Sequence, residues 1–326
     1  MYKDIGCGDV REEHVGKIFR IAGWVHRRRD HGSLIFIDLR DSKGIIQVVV
    51  DPQKSKNSYD IALSLRSEWV IEIKGNVQRR IKGAENVNLL TGQVELMAEE
   101  IKILNKSKTP PFEISEDLNI DENLRMRYRY LDLRKPNMQH NIRVRHNVTK
   151  AIWDYLDKND FIQIETPLLI KSTPEGARDY IVPSRVHPGK FYALPQSPQQ
   201  LKQILMVSGF EKYFQIARCF RDEDLRADRQ PEHTQLDIEM SFVEQDDVLN
   251  LIEDLYKTLV KEVSPLTEVP EKFPRISFKD AIEKYGTDKP DLRYDLQLID
   301  LTSIFSETDF GVFNRVQDSK GIIKGL

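Results

Sequence analysis

The segment FQIARCFRDEDLRADRQPEHTQLDIEMSF (214–242) brings one arginine toward two acidic residues. Both of its ends alternate in polarity with a period of two, which is typical of half-buried strands, and a charged loop separates them. The first end carries Arg221 on the face of an alanine and a cysteine, and the second carries Asp237 and Glu239 on one face. A guanidinium held in this way could bind an anionic group. A surface ion pair is the simpler interpretation, and the residue pattern alone favours it.

The composition excludes several classes of protein. The length of 326 residues predicts two or more domains, and 40% apolar with 31% charged residues is typical of a soluble protein. Cys7 and Cys219 are the only cysteines, without CxxC spacing, so a disulfide scaffold and structural zinc are disfavoured. No apolar run approaches the roughly 20 residues that span a bilayer, and the first residues lack a signal pattern. We therefore expect a reducing, cytoplasmic environment without membrane contact.

Positive charge is concentrated in two places although the net charge is −3. Residues 17–43 contain seven basic and three acidic residues, and residues 121–145 contain the same numbers. Local positive patches on a mildly acidic protein suit an anionic partner that binds at defined places. Solvated faces that bind nothing are the commoner explanation of such runs.

The first hundred residues have strand character. Five such segments cover 17–29, 34–41, 44–51, 69–80 and 94–104. Turn sequences separate them, and one helical pattern over 58–68 lies between the third and the fourth. Five strands with a helix in this position is the order of an OB-fold, a small barrel whose exposed face binds oligonucleotides.

Phe36 is a candidate for stacking on a base. In LIFID, Ile35 and Ile37 share one face, which leaves Phe36 on the other face with Asp38. A nucleic-acid face needs aromatic rings for bases and cations for phosphates, and the run Arg27–Arg29 lies in the preceding strand. A core aromatic is the usual alternative for a phenylalanine in a strand.

Segment 105–125 is polar and aperiodic, and we interpret it as a linker. Apolar residues then recur at helical spacing within 128–161. The following FIQIETPLLI (161–170) is predicted to be a strand that Pro167 ends.

Several strings resemble the aspartyl-tRNA synthetases of the bacterial type, which are class II enzymes. FIQIETPLL is similar to motif 1, a helix and strand at the dimer interface, and FRDE with TQLDIE is similar to motif 2, an ATP-binding hairpin. Two further strings distinguish this family from other class II enzymes: TPEGARDYIVPSR and ALPQSPQQLKQ. The matches extend from about Gly6 to Arg293 in family order.

The resemblance implies an α+β multidomain fold. An OB-fold anticodon-binding domain would cover 1–108, a linker or hinge 109–135, the first part of an antiparallel-sheet class II catalytic domain 136–293, and the start of the bacterial insertion domain 294–326. Motif 3, with a second ATP-binding arginine and the metal-binding acids, is not found. We therefore expect an incomplete catalytic domain, an N-terminal portion of a longer homodimeric enzyme, no metal ligands in this portion and no activity of the portion alone.

The family activates L-aspartate with ATP and Mg²⁺ and transfers it to tRNA. By resemblance Arg221 is the catalytic residue. ATP would contact Arg221, Asp222, Glu223 and Gln230. Aspartate would contact Glu175, Ser197, Gln199, Lys202, Arg221 and Asp237. A lone lysine in a helix is usually solvated. A buried Lys202 would favour aspartate over asparagine, because neutral asparagine would leave the buried cation without an anionic partner.

The resemblance also assigns residues to the tRNA. The anticodon would contact Arg27, Arg29, Phe36, Gln47 and Glu95. His31 and Gly83 resemble members that charge both tRNA-Asp and tRNA-Asn, so we expect charging of both tRNAs. A solvated turn histidine and an ordinary turn glycine are the simpler alternatives. Two other functions compete: a non-catalytic OB-fold protein with a degenerate synthetase domain, and a synthetase for asparagine or lysine.

Overall fold

The computed structural model describes residues 1–114, 119–173, 175–224, 226–264 and 267–326. The chain divides into two compact units, Met1–Asn147 and Val148–Leu326. No helix among the described residues is long and apolar enough to cross a membrane.

A closed five-stranded barrel forms most of the first unit. Its strands are β1 (Ile18–His31), β2 (Leu34–Asp41), β3 (Gly44–Val50), β4 (Val70–Arg79) and β5 (Val94–Asn105). They join in the order β1-β2-β3-β5-β4, with β3 and β5 parallel and the other pairs antiparallel. This arrangement confirms the five predicted strands and the OB-fold.

Alternating side chains fill the barrel. Inward-facing residues such as Ile21, Val25, Ile37 and Ile73 are fully buried and belong to one apolar core. Gly23 is required for close packing, because a Cβ there would lie 2.3 Å from the carbonyl oxygen of Arg40.

A single helix, α1 (Lys56–Ser64), connects β3 to β4. The Ser55 hydroxyl accepts a hydrogen bond from the Ser58 N–H, which starts the helix two residues before the predicted segment 58–68. The extended backbone of Leu65 ends it early.

Two short helices occupy part of the predicted linker, whose residues 115–118 lie outside the described part of the chain. They are α2 (Glu122–Arg127) and α3 (Arg129–Asp132). Asp132 is fully buried, and its carboxylate binds Arg125, Arg129 and Lys135. Burial alone would raise the pKa of Asp132, but the hydrogen bond from Arg125 and the neighbouring cations lower it. The charged residues of the predicted linker therefore organise a folded segment.

The long helix α4 (Pro136–Lys158) carries the chain from the first unit to the second. It begins with proline, whose missing N–H costs nothing at a helix start. The remaining elements are β6 (Ile162–Gln163), β7 (Ile181–Pro183), β8 (Phe191–Ala193), α5 (Gln199–Val207), β9 (Lys212–Phe220), β10 (Glu232–Met240), α6 (Gln245–Val263), α7 (Phe278–Tyr285), β11 (Ile299–Asp300), α8 (Gly311–Asp318) and β12 (Lys324–Gly325).

The second unit is built on the sheet β10-β9-β6. Leu156 of α4, Phe161 and Phe214 form its buried apolar cluster. The strand predicted over 161–170 is shorter than expected, because only Ile162–Gln163 pairs with β9. Beyond it, Thr166 directs its hydroxyl to the Gln215 side chain at 2.9 Å, and Pro167 has no N–H to donate.

Candidate functional site

A row of polar side chains lies beside the apolar core of the barrel, and two of them, Gln47 and Glu95, are only 8% and 6% exposed. In the strand registers Asp38 lies opposite Gln47, and Gln78 lies opposite Glu95. The Gln47 and Gln78 amides each donate to one oxygen of the Glu95 carboxylate, both at 2.8 Å. Arg29 binds Asp38 at 2.9 Å. The structure therefore brings three of the residues predicted to contact the anticodon into one network.

Phe36 lies beside this network with its ring partly exposed. Ile35 and Ile37 on either side of it are buried in the barrel core. Arg29 is its register partner on β1, and the ring of His31 packs edge-on against it at 6.5 Å. A flat ring next to hydrogen-bonding groups and an arginine is a combination that can hold an unpaired base.

Arg80 is a member of this surface that the sequence did not reveal. Its side chain is 9% exposed, and its Nη2 is the one buried side-chain nitrogen or oxygen of the described residues without a hydrogen-bond partner. Burial lowers the pKa of Arg80, while the charge of Glu95 acts in the opposite direction. A buried donor without a partner is rare in folded proteins and distinguishes Arg80 from the other side chains of the barrel.

The other residues predicted to contact tRNA are more exposed. Arg27 lies opposite Asp38 in the register, and its side chain points to solvent. Gly83 has φ +90°, where residues with side chains are strained, and nothing lies within 4 Å of a Cβ built there. The backbone alone therefore accounts for glycine at this position.

In the second unit, β9 and β10 form the predicted antiparallel hairpin. Asp237 pairs with Gln215, and the register continues to His233 opposite Cys219. Asp237, Gln215 and Cys219 are all buried on one face of this hairpin. The predicted alternation is therefore confirmed.

Lys202 of α5 is buried against this face. Its ammonium lies 3.3 Å from Asp237 Oδ1 and 3.4 Å from Glu239 Oε2. Lys202 and Asp237 are only 8% and 7% exposed. An ammonium has three N–H donors, and among the described residues no third acceptor is within hydrogen-bond distance. One donor is thus left for a bound anion.

A second group of predicted aspartate-binding residues surrounds the start of α5. The Ser197 hydroxyl donates to Glu175 at 2.6 Å and accepts from the Gln199 N–H at 3.3 Å. The buried Gln196 holds the segment after Glu175 in place, because its amide binds both the N–H and the C=O of Ala177. Residue 174, beside Glu175, is outside the described residues.

Arg221 lies just after β9 and lines a cavity of 320 Å³. Glu223 and Gln230, two further residues predicted to bind ATP, line the same cavity, and Asp222 lines an adjoining one. Among the described residues the Arg221 guanidinium has no hydrogen-bond or ion-pair partner. The backbone N–H of Arg221 donates to the Pro231 carbonyl at 2.8 Å. The hairpin thus fixes the backbone of Arg221 and leaves its guanidinium available to a ligand.

The pKa of the buried Cys219 thiol is affected by residues predicted to bind aspartate and by a residue predicted to bind ATP. Burial raises its pKa to about 11, and the charges of Asp237 and Glu175 act in the same direction while that of Arg221 opposes them. The residues predicted to bind aspartate and those predicted to bind ATP are therefore electrostatic neighbours.

We expect Cys219 to be nearly inert in the folded chain. A rise of its pKa from 9.0 to about 11 lowers the thiolate fraction at about pH 8 roughly a hundredfold. Its contribution to stability is complete below about pH 9 and is lost as the pH rises through about 11. Reaction of Cys7→Ser protein with Ellman's reagent, before and after unfolding in guanidinium chloride, measures this. Equal rates in the two states would contradict it.

Glu239 and Gln235 are functional candidates that we did not assign from the sequence. Gln235 donates to Asp237 at 2.6 Å, and Glu239 completes the surroundings of Lys202. The period-two alternation of β10 places both on the face of Asp237, so that signal was available.

The described residues contain no group of three or more His, Cys, Asp or Glu side chains that could hold a metal ion.

Family models match both units. A model described as tRNA synthetases class II (D, K and N) matches residues 121–314, and one described as OB-fold nucleic acid binding domain matches 19–104. The first covers more than half of the chain. The chain belongs to the class II tRNA synthetases of the D, K and N group.

Curated relatives of this class II chain are similar over almost all of its length. An aspartate–tRNA(Asp/Asn) ligase of Dehalococcoides mccartyi is 57% identical over 326 residues, which are 100% of this chain and 54% of the relative. The protein of the same name from Aquifex aeolicus is 54% identical over 320 residues, 98% of this chain and 53% of the relative. The chain spans about half the length of the curated relatives it matches.

A solved structure has the same fold. Asparaginyl-tRNA synthetase from Pyrococcus horikoshii, complexed with asparaginyl-adenylate, superimposes with a TM-score of 0.71 at 26% identity. The match covers 82% of this chain and 59% of that one. An OB-fold followed by a class II synthetase catalytic domain, the predicted fold class, is confirmed.

Proposed function

We propose that this class II chain is part of an aspartate–tRNA ligase, which activates L-aspartate with ATP and transfers it to tRNA. The observation that carries the proposal is Lys202, a buried ammonium beside two carboxylates with one N–H donor unused. The names of the curated relatives, at more than half identity over nearly the whole chain, support the same substrate.

Lys202 distinguishes aspartate from the other substrates of this group. Its free N–H would bind the side-chain carboxylate of aspartate as a charge-assisted hydrogen bond. Asparagine offers only a neutral amide there, and lysine would bring a second cation against the first. The carboxylates of Asp237 and Glu175 would receive the substrate's ammonium group, together with the polar side chains of Ser197 and Gln199.

Arg221 would act in the activation step. An oxygen of the aspartate α-carboxylate forms a bond to the α-phosphorus of ATP, and pyrophosphate leaves as its bond to that phosphorus breaks. Two anions approach each other in this step, so an unpaired guanidinium that contacts both lowers the barrier. Glu223, Gln230 and Asp222 would contact the nucleotide. Mg²⁺ would accompany ATP and neutralise part of the charge of its phosphates.

The barrel face would read the tRNA anticodon. Phe36 would stack on a base, while Arg27, Arg29, Gln47 and Glu95 would bind phosphates and base edges. Aminoacylation of tRNA by the full-length enzyme tests the proposal as a whole, and failure of aspartate to become attached to tRNA would contradict it.

We expect Phe36→Ala to weaken tRNA use about tenfold or more in kcat/KM, since stacking contributes about 1–3 kcal/mol per base. Aspartate-dependent ATP–pyrophosphate exchange, which needs no tRNA, should stay close to the parental rate. Tyr2→Ala removes another exposed ring of the first unit and serves as the control. Equal losses in both assays would make Phe36 a structural residue.

We further propose that the enzyme charges both tRNA-Asp and tRNA-Asn. The two anticodons differ in one base, and His31 packs against Phe36, where that base could be contacted. A neutral imidazole offers a donor or an acceptor and so can tolerate cytosine or uracil. We expect the parent to aspartylate both purified tRNAs, and His31→Leu to lose tRNA-Asn preferentially. Charging of tRNA-Asp alone by the parent would overturn this.

The proposal retains the domain boundaries expected from the sequence, a homodimer formed through the motif 1 region (161–169), and a cytoplasmic location. A non-catalytic nucleic-acid-binding protein is the main alternative. It is disfavoured by the free Arg221 guanidinium and by the buried Lys202. Neither feature would serve a domain that only supports an OB-fold.

A further inference from the structure

The first unit contains a cavity of 480 Å³ that the proposed function does not use. It lies between β1, the start of β4, the end of β5 and the segment of α2 and α3. None of the residues assigned to the anticodon lines it. Its principal side chains are Trp24, Glu68, Lys106, Lys108, Tyr128 and Arg134.

Glu68 forms the buried floor of this cavity, and two arginines balance the negative charge of its carboxylate. Its carboxylate is 3% exposed, and Arg40 donates to both of its oxygens at 2.8 and 3.0 Å. Arg134 binds the same carboxylate at 2.5 Å. With two guanidinium partners, Glu68 does not repel an anion. Its φ of +65° persists only where the surroundings fix the backbone, so the floor is preformed.

Aromatic rings form the walls. The Arg134 guanidinium lies 5.0 Å from the centre of the half-buried Trp24 ring. Tyr128 and Tyr130, also at the cavity, pack edge to face at 6.4 Å. Rings and a stacked guanidinium offer flat surfaces to a planar ligand.

The rim is cationic. Lys106 and Lys108 are both exposed, and Lys108 has no ion-pair partner among the described residues. The Lys106 ammonium lies 5.1 Å from the Trp69 ring. Because Glu68 is already paired, these two ammonium groups give the mouth of the cavity a positive charge that is available to a phosphate.

We propose that this cavity binds a nucleotide, with the base against Trp24 and Tyr128 and the phosphate at Lys106 and Lys108. The volume is within the usual range for sites of small ligands. A free mononucleotide and an unpaired nucleotide of an RNA strand share this chemistry. The site is separate from the candidate active site, so its failure would leave the proposed function untouched.

The test is ¹⁹F NMR of the chain labelled with 5-fluorotryptophan, which reports its three tryptophans separately. Titration with AMP should shift the Trp24 resonance in a saturable way and leave Trp153 of the second unit unchanged. Adenosine and ribose 5-phosphate, which each supply half of the contacts, should bind at least about tenfold more weakly.

Charge reversal at the rim provides the matched pair of variants. Lys108→Glu should weaken the Trp24 response about tenfold, and Lys102→Glu, an exposed lysine of β5 outside the cavity, should not. A short single-stranded RNA is titrated into Phe36→Ala protein, so that binding by the barrel face is suppressed. Saturation by AMP identifies a free nucleotide as the ligand, and saturation by RNA alone identifies a nucleotide of a strand. No saturable Trp24 shift with either probe, or equal responses of the two lysine variants, overturns the proposal.

Discussion

Arg221→Ala should reduce aspartate-dependent ATP–pyrophosphate exchange by the full-length enzyme about a hundredfold to a thousandfold. Loss of one preorganised group that stabilises charge in a transition state has this effect, about 3–4 kcal/mol. The Arg221 guanidinium has no partner among the described residues, so its removal breaks no structural ion pair. The loss should therefore appear in kcat, with the melting temperature nearly unchanged.

Arg218→Ala is the matched control for this variant. Arg218 lies within β9, three residues before Arg221, and it binds Glu232 at 2.8 Å and Thr234 at 3.1 Å. It is about half exposed, so its removal should change stability and exchange only slightly. If both variants lost exchange activity equally, or if Arg221→Ala kept the parental rate, Arg221 would have no specific role in the reaction.

Lys202→Met should strongly weaken recognition of aspartate. Removing one partner of a buried ion pair costs about 3–5 kcal/mol, and here it leaves Asp237 and Glu239 together without their cation. We expect kcat/KM for aspartate to fall about a thousandfold, with KM for ATP close to its parental value, and we expect a lower melting temperature.

Gln203→Met is the control for this second variant, because it places the same side chain at the next, exposed position of α5. The exchange kinetics of Gln203→Met should be parental. Retention of kcat/KM for aspartate by Lys202→Met would show that its ammonium serves only to pair the two carboxylates.

Strands were predictable because their burial pattern is local. Ile35, Phe36 and Ile37 alternate in the sequence as they do in the barrel, and the same holds for the hairpin of β9 and β10. The strand over 161–170 was overestimated, because its length depends on a neighbour to pair with, and β9 provides only two register partners.

Contacts between residues that are far apart in the chain could not be predicted from the sequence. The pairing of Lys202 with two acids of β10 depends on how α5 packs on the hairpin, and no local pattern specifies it. The position of Arg80 depends on where β5 lies, since its Nε donates to the Val94 carbonyl and its Nη2 is left unpaired. Asp132 shows the same limit, since no local pattern indicated that three cations would bind its carboxylate. The identities of most site residues came from family resemblance, and the structure adds their contacts.

The amino-acid dependence of ATP–pyrophosphate exchange by the full-length enzyme tests the central claim most directly. With ATP, Mg²⁺ and each of aspartate, asparagine and lysine in turn, aspartate should support exchange at least about a thousandfold better in kcat/KM than the other two. Exchange that is equal or faster with asparagine or lysine, or no exchange with any of the three, would contradict the account.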